Sequence, residues 1–156
     1  MNVEVESFDE IAAEFRRRIE QTVWCTMTTV DTRGRPRGRL VHPVWEEPTG
    51  WLATRSNSHK VKHLAKNPWV SLAFWDQNKQ QVYVECKTTW VDDAETKARL
   101  WDLYSTAPGG YGLQGFWKNV DDPHYGLLRL DPWRVELWSE ADLFSRTPAR
   151  VWRSGE

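Results

Sequence analysis

Residues 51–62 read Trp51-Leu52-Ala53-Thr54-Arg55-Ser56-Asn57-Ser58-His59-Lys60-Val61-Lys62, and they predict a strand, a polar turn and the start of a helix. The first N–H groups of a helix have no partner within the helix, and the helix dipole is positive at that end. The hydroxyl groups of Thr54, Ser56 and Ser58 and the cationic side chains of Arg55 and Lys60 are expected to converge there. Such an arrangement suits a phosphate group. An ordinary capped helix with a solvated basic face explains the same residues equally well.

The charge distribution favours a small anionic ligand over a polyanion. The 156 residues carry a formal net charge of −1, so the overall field gives no reason to expect nucleic acid or an anionic membrane as a partner. Between Thr32 and Trp75 the only acids are Glu46 and Glu47. The basic side chains of that stretch are Arg33, Arg35, Arg37, Arg39, His42, Arg55, His59, Lys60, Lys62, His63 and Lys66. The motif GxxxxGKS/T is absent, and no GxGxxG follows a predicted strand, which argues against nucleoside triphosphate and Rossmann dinucleotide sites.

Residue periodicity on either side of this stretch predicts one mainly β domain over residues 1–156. Alternation with a period of two indicates strands at Val23–Val30, Arg35–Trp45, Trp51–Arg55, Trp69–Asp76, Gln80–Val91, Tyr125–Leu130 and Trp133–Ser139. The last two are predicted to form a hairpin across Asp131-Pro132. Helices are predicted from a capping box at Ser7-Phe8-Asp9-Glu10 to Glu20, over His59–Lys66, and from Asp93 to about Tyr104. We therefore expect a barrel of six to seven mostly antiparallel strands with two to three peripheral helices.

Other features of the composition bear on compartment and assembly. Cys25 and Cys86 lie in apolar runs without CxxC spacing, which predicts buried free thiols and a cytoplasmic protein. No apolar signal core or membrane-spanning run is present, and the four His lack metal-ligand spacing. The eleven Trp residues favour a large apolar contact such as a homodimer interface. Arg16, Arg17 and Arg18 are predicted to lie on the solvated face of the first helix.

The turn and the segment after it resemble a known family. Thr54–Leu64, followed by Asn67-Pro68-Trp69-Val70-Ser71-Leu72, is similar to the phosphate-binding strand, turn and helix of the pyridoxamine 5'-phosphate oxidase-like split β-barrel superfamily. Its general stress protein 26-like and F420-dependent branches match best, from about Phe8 to Trp138. The resemblance implies a split β-barrel, a flavin-type cofactor at a homodimer interface, and an oxidoreductase with a small-molecule substrate.

The resemblance also implies which residues contact the cofactor. The candidates are Arg39, Leu40, Val41, His42, Thr54, Ser58, His59, Lys60, Gln81 and Trp138. Arg39 matches an arginine that reaches the flavin phosphate, and the main chain of the next three residues is expected beside the ring edge. His59 stands where full oxidases carry an arginine. Gln81 matches a glutamine near the ring, and Trp138 matches a tryptophan that packs on the cofactor, generally across the dimer interface.

Departures from the family pattern leave alternatives open. Val44 stands where full oxidases have a lysine, and Leu143–Trp152 lacks their substrate-binding arginine and histidine motif, so pyridoxamine phosphate is not predicted as the substrate. FMN is the expected cofactor, with the deazaflavin F420 as the alternative; a non-catalytic carrier of flavin, F420 or haem is the further alternative. No general acid or base is identified, and a structural role is favoured for His42. Pro108–Trp117 is predicted to be either a lid or a dimer contact.

Overall fold

The computed structural model describes residues 2–155 and contains, within them, nine strands and four α-helices. The strands are β1 Asn2–Val5, β2 Cys25–Val30, β3 Pro36–Val41, β4 Val44–Glu46, β5 Thr49–Arg55, β6 Trp69–Trp75, β7 Gln80–Val91, β8 Tyr125–Ser139 and β9 Ala149–Arg153. The helices are α1 Asp9–Thr22, α2 His59–Lys66, α3 Ala94–Thr106 and α4 Glu140–Ser145. The mainly β prediction is confirmed, and the predicted bounds of α2 and β7 are those observed.

One mixed sheet contains all nine strands, in the order β1-β9-β8-β7-β6-β2-β3, with β5 pairing both β8 and β4. Every pairing is antiparallel except that of β1 with β9, which is parallel. Strand β8 pairs with β7 along nearly its whole length, with β5 through its first half and with β9 through its second half. One edge of β8 is paired with β7 throughout, whereas the partner on its other edge changes from β5 to β9 midway. The sheet therefore divides at that point, and two separate cores form.

The predicted hairpin across Asp131-Pro132 is wrong, since β8 runs unbroken through that dipeptide. Pro132 pairs with Cys86 and Arg134 pairs with Glu85, so Trp133 is the extra residue of an irregularity in the ladder. A proline cannot donate a ladder hydrogen bond, and such an irregularity is where a strand tolerates one. Pairing on both edges of β8 therefore outweighs the local turn chemistry.

The predicted strand Arg35–Trp45 is also interrupted, and it forms β3 and β4 on either side of His42-Pro43. Val41 makes the last pair with β2, opposite Cys25, and Pro43 has no N–H with which to continue a ladder. The His42 carbonyl oxygen instead accepts a hydrogen bond of 3.0 Å from the Tyr104 hydroxyl. This interruption turns the end of β3 toward the α3 side of the sheet.

Helix α1 covers the main core with Ile11, Phe15 and Ile19, each at most 4% exposed. Glu10 accepts hydrogen bonds from the N–H groups of Glu6 and Ser7, but the Ser7 hydroxyl caps nothing, so half of the predicted capping box forms. A second core lies between α3 and the β5–β8 pair and contains Leu100, Tyr104, Leu113, Trp117 and Tyr125. Both cores contribute residues to the lining of the cleft described below.

The prediction of a solvated Arg18 is wrong, because its side chain is buried. Its guanidinium donates to the main-chain oxygens of Gln81 (3.0 Å) and Trp138 (2.8 Å), and to the Glu14 carboxylate (2.7 Å). The helical period itself places Arg18 on the buried face, seven residues after Ile11 and three after Phe15. The prediction followed the charge of the side chain instead, whereas a long arginine can bury its stem when its head finds acceptors.

Cys25 and Cys86 are buried free thiols, as predicted. Within residues 2–155 no helix is both long and apolar enough to cross a membrane. The same residues contain no group of three His, Cys, Asp or Glu side chains arranged to hold a metal ion.

Candidate functional site

Helix α2 presents an unpaired lysine at its first turn. The preceding residue, Ser58, is extended, and its hydroxyl oxygen is buried without a hydrogen-bond partner. Lys60 is only 9% exposed, and its ammonium makes no ion pair or hydrogen bond with the described residues. Burial, followed by the positive charge of Arg39, lowers the pKa of Lys60. A largely buried ammonium without a carboxylate partner among the described residues is typical of a place where an anion binds.

Arg39 provides the second positive charge. It lies on β3 opposite Met27, half-buried, and no carboxylate in residues 2–155 forms an ion pair with it. Burial, followed by the positive charge of Arg37, lowers the pKa of Arg39, and no negative charge offsets either effect. Arg39 lies near enough to Lys60 for its charge to lower the pKa of the lysine, and Lys60 itself lies in the first turn of α2, where the helix dipole is positive.

Ser58 and Lys60 border a cleft of about 410 Å³ between the end of β3, strand β5 and the start of α2, whereas Arg39 lies outside the residues that line it. Six of the ten candidates from the sequence line it: Leu40, Val41, His42, Thr54, Ser58 and Lys60. None of the described residues that line it is Asp or Glu. His59 is exposed on α2 and lies outside the lining. The cleft is therefore cationic, and six of its residues are ones that the family resemblance assigned to a cofactor.

Gln81 and Trp138 lie elsewhere. They are paired neighbours on β7 and β8, and they line a second, larger cavity of about 690 Å³ together with Tyr83 and residues of α4 and β9. The Tyr83 hydroxyl donates a short hydrogen bond to the Gln81 side-chain oxygen. A single protomer therefore does not bring Gln81 and Trp138 into the cleft that contains Lys60.

Four aromatic residues of the cleft are absent from the predicted site: Trp24, Tyr111, Phe116 and Trp117. Tyr111, Phe116 and Trp117 come from the glycine-rich loop that the sequence offered as a lid or a dimer contact, so the available signal was the mixture of Gly and aromatic residues. Trp24 gave no such signal. It reaches the cleft because the adjacent Cys25 pairs with Val41 at the end of β3.

His42 forms the junction between the polar and aromatic walls. Its imidazole is 3% exposed, and its ring centroid lies 5.1 Å from those of both Trp24 and Tyr111. Burial lowers its pKa, so the imidazole is neutral near pH 7. Its Nδ1 atom is buried without a hydrogen-bond partner. Buried polar atoms normally have a hydrogen-bond partner, so a purely structural role for His42 does not explain why this nitrogen has none.

The polar atoms of the cleft fit a phosphate ester of moderate size. Among residues 2–155 the buried hydroxyl of Ser58 has no hydrogen-bond partner and the ammonium of Lys60 has no carboxylate partner, and Arg39 adds a donor from β3. Each would gain a charge-assisted hydrogen bond from a phosphate oxygen. A carboxylate-coordinated metal ion does not fit, because the described lining contains no acid.

Comparison with known proteins gives the family. The family model described as pyridoxamine 5'-phosphate oxidase matches residues 11–139. A pyridoxine/pyridoxamine 5'-phosphate oxidase of Salinispora arenicola is 32% identical in an alignment of 141 positions that covers 70% of this chain and 62% of the relative. The Bdellovibrio bacteriovorus protein of the same name is 28% identical and aligns over 96% of this chain and 93% of its own length. This chain spans less than two thirds of the length of the first such relatives, at 62%, 63% and 64%.

Solved structures agree on the fold. A Clostridium acetobutylicum protein related to general stress protein 26 superposes with a TM-score of 0.73 at 18% identity, covering 94% of this chain and 96% of its own. General stress protein 26 of Bacillus anthracis gives a TM-score of 0.68 at 18% identity, covering 82% and 93%. These identities show the fold alone, and they confirm the predicted split β-barrel. Because the family model covers most of the sequence, the chain belongs to the pyridoxamine 5'-phosphate oxidase family.

Proposed function

We propose that this protein is a flavin-dependent oxidoreductase and that the cleft at the start of α2 holds the phosphate of FMN. The observation that supports this most strongly is the buried, unpaired Lys60 beside the equally unpaired Arg39. The names of the relatives, pyridoxine/pyridoxamine 5'-phosphate oxidases, support the same class of chemistry. Bound there, FMN would supply hydride transfer, while the protein would orient the cofactor and set its electrostatic surroundings.

Each side chain has a distinct part in this proposal. Lys60 and Arg39 bind the phosphate, and the hydroxyls of Ser58 and Thr54 complete its hydrogen bonds. The apolar side chains of Val41 and Leu52 exclude water from the rest of the cleft. His42, neutral at pH 7, offers a hydrogen bond without adding charge.

We further propose that two copies of the chain complete the site. Gln81 and Trp138, which the family resemblance assigns to the cofactor, line a different cavity from Lys60 in the same protomer. A symmetric dimer can set the second cavity of one protomer against the cleft of its partner. In sedimentation, the FMN-loaded protein is expected to behave as a dimer, and a fully loaded monomer would contradict the proposal.

The direct test is to replace Lys60 by alanine and to titrate FMN by fluorescence quenching. Removal of a charge-assisted hydrogen bond of about 1.5–3 kcal/mol should raise the Kd roughly 10- to 150-fold. The matched control is Lys62→Ala, an exposed lysine two residues further along the same helix, which should change the Kd less than about threefold. If both variants bind FMN like the parent while remaining folded, the assignment of the cleft is wrong.

F420 is the second candidate cofactor. Its phosphate continues into an acidic tail, which needs cations beyond the phosphate cradle. Arg55 lines the cleft, is exposed and forms no ion pair in residues 2–155. Parallel titrations with FMN and F420 separate the candidates, and Arg55→Ala should weaken only F420. A separate experiment distinguishes an enzyme from a carrier. The loaded protein is mixed anaerobically with NADH, NADPH or reduced F420, and a carrier should show no catalytic turnover with any acceptor.

A further inference from the structure

A group of aromatic side chains borders the cleft and is not used by the phosphate cradle. This aromatic recess consists of Trp24, His42, Tyr111 and Phe116, with ring centroids 5.1 Å apart from Trp24 to His42, 5.1 Å from His42 to Tyr111 and 5.4 Å from Tyr111 to Phe116. Three distant parts of the chain supply it: the residue before β2, the end of β3 and the loop after α3. Each ring is held by its neighbours, so the wall is formed before any ligand arrives.

The recess is exposed where a purely structural cluster would be covered. Trp24 is 46% exposed and Phe116 is 56% exposed. With Leu40 they make up three of the nine large hydrophobic side chains that are exposed in residues 2–155, and all three line this one cleft. Adjacent exposed apolar side chains around a concavity are the usual sign of a ligand site.

The polar groups of the recess are uncharged and unsatisfied. His42 Nδ1 is buried without a partner, and the Tyr111 hydroxyl makes no hydrogen bond with the described residues. Burial lowers the pKa of His42 and raises that of Tyr111, so both side chains are neutral at pH 7. Both can hydrogen-bond to a hydroxyl or a carbonyl group.

Charge limits the class of ligand. Aromatic faces can attract a cation by themselves, but Lys60 and Arg55 line the same cleft and repel one, and an anionic group is drawn to these two side chains rather than to the aromatic rings. The ligand that suits the recess is therefore a flat molecule without net charge, stacked on the rings and hydrogen-bonded to His42 or Tyr111.

We propose that the aromatic recess binds an uncharged, flat aromatic molecule with a hydroxyl or carbonyl group, and that this is the class of substrate on which the protein acts. Its role as a substrate site rests on the proposed flavin function, but the binding itself does not. In this proposal, Trp24 and Phe116 are the residues that determine specificity.

The test uses 2-naphthol as a neutral probe and the N-methylquinolinium ion as a cationic probe of similar size. Binding is followed by saturation-transfer NMR, in protein alone and in protein saturated with FMN. We expect 2-naphthol to bind in both states and N-methylquinolinium to bind in neither. Trp24→Ala and Phe116→Ala should each weaken 2-naphthol about 3- to 10-fold.

The control is Phe144→Ala, because Phe144 is an exposed aromatic residue of α4 that does not line the cleft. It should leave naphthol binding unchanged, and all three variants remove exposed side chains, so their folding should be intact. Displacement of naphthol by FMN would overturn the proposal, since the recess would then hold the cofactor itself. Equal binding of the cation, or equal effects of all three variants, would overturn it too. The assignment of the phosphate site is tested independently, by titrating FMN into the Lys60→Ala variant in the absence of naphthol.

Discussion

His63 Nδ1 lies 2.9 Å from Thr29 Oγ1, in the interior of the protein. The pair joins α2 to β2, and His63 lies three residues after Lys60 on the same face of the helix, since both side chains are buried. The position of the phosphate cradle relative to the sheet is thus fixed by a buried hydrogen bond in addition to the apolar contact of Leu64. Binding residues held on a rigid element need little reorganisation when the ligand arrives.

Replacing Thr29 by valine should destabilise the protein by about 1–3 kcal/mol, because a buried imidazole nitrogen loses its partner. The free energy of unfolding is measured by urea denaturation. Thr26→Val is the matched control on the same strand, where the residue is exposed, and its effect should stay within about 0.5 kcal/mol. Equal effects of the two substitutions would show that the buried pair contributes nothing.

Arg18→Ala should lower the free energy of unfolding far more than Arg17→Ala does, although the two residues are adjacent in α1. Arg18 is 9% exposed at its side chain and holds the Gln81 and Trp138 carbonyl oxygens, whereas Arg17 is 44% exposed. Loss of several buried hydrogen bonds is expected to cost about 2–5 kcal/mol, against less than about 1 kcal/mol for the surface pair. Thermal denaturation of both variants makes the comparison. Similar melting temperatures would refute the structural role of Arg18.

Stability should fall as the pH is lowered from about 7.5 to 5.5. Burial lowers the pKa of His42 and His63 below their ordinary value of 6.5. The unfolded chain therefore takes up protons first, and stability is lost as the pH falls from 6.5 through the folded pKa. His42→Phe keeps a ring in place and should reduce this slope, while His124→Phe at an exposed position should not. Urea midpoints at each pH provide the readout, and an unchanged slope in His42→Phe would contradict the assignment.

Neither thiol should react with iodoacetamide at pH 8 in the native protein. Cys25 is 2% exposed and Cys86 is fully buried, and burial raises the pKa of both thiols above the ordinary value of 9.0. Alkylation requires an accessible thiolate. Mass spectrometry should detect both modifications only after unfolding in guanidinium chloride. Rapid labelling of either cysteine in the native protein would show that its strand opens readily.

The elements that the sequence predicted well are those fixed by interactions between near neighbours. Helix α2 begins after Ser58 and ends at the residue before Asn67-Pro68, because proline disfavours helix in the residue that precedes it. Strand β7 has the predicted bounds because its alternating apolar residues, such as Val82 and Val84, are all buried on one face.

The strands that the sequence did not predict depend on pairing partners that lie far away in the chain. Strands β1 and β9 pair Asn2–Val5 with residues 149–152, and nothing within either segment alone predicts that pairing. The continuity of β8 through Pro132 likewise depends on β5, β7 and β9 together. The division of eight of the ten candidate residues between two cavities of one protomer depends on distant partners for the same reason.

The sequence by itself determined the basic turn around Lys60, the helix that follows it and the family, because a few adjacent residues carry the hydrogen-bonding and charge that define them. Only the tertiary structure decided that Lys60 is buried beside Arg39 without a counter-ion, that Trp24 meets Tyr111 across His42, and that Gln81 lies in another cavity. Burial and proximity between distant segments arise from the packing of the whole sheet and its helices, which no local pattern contains.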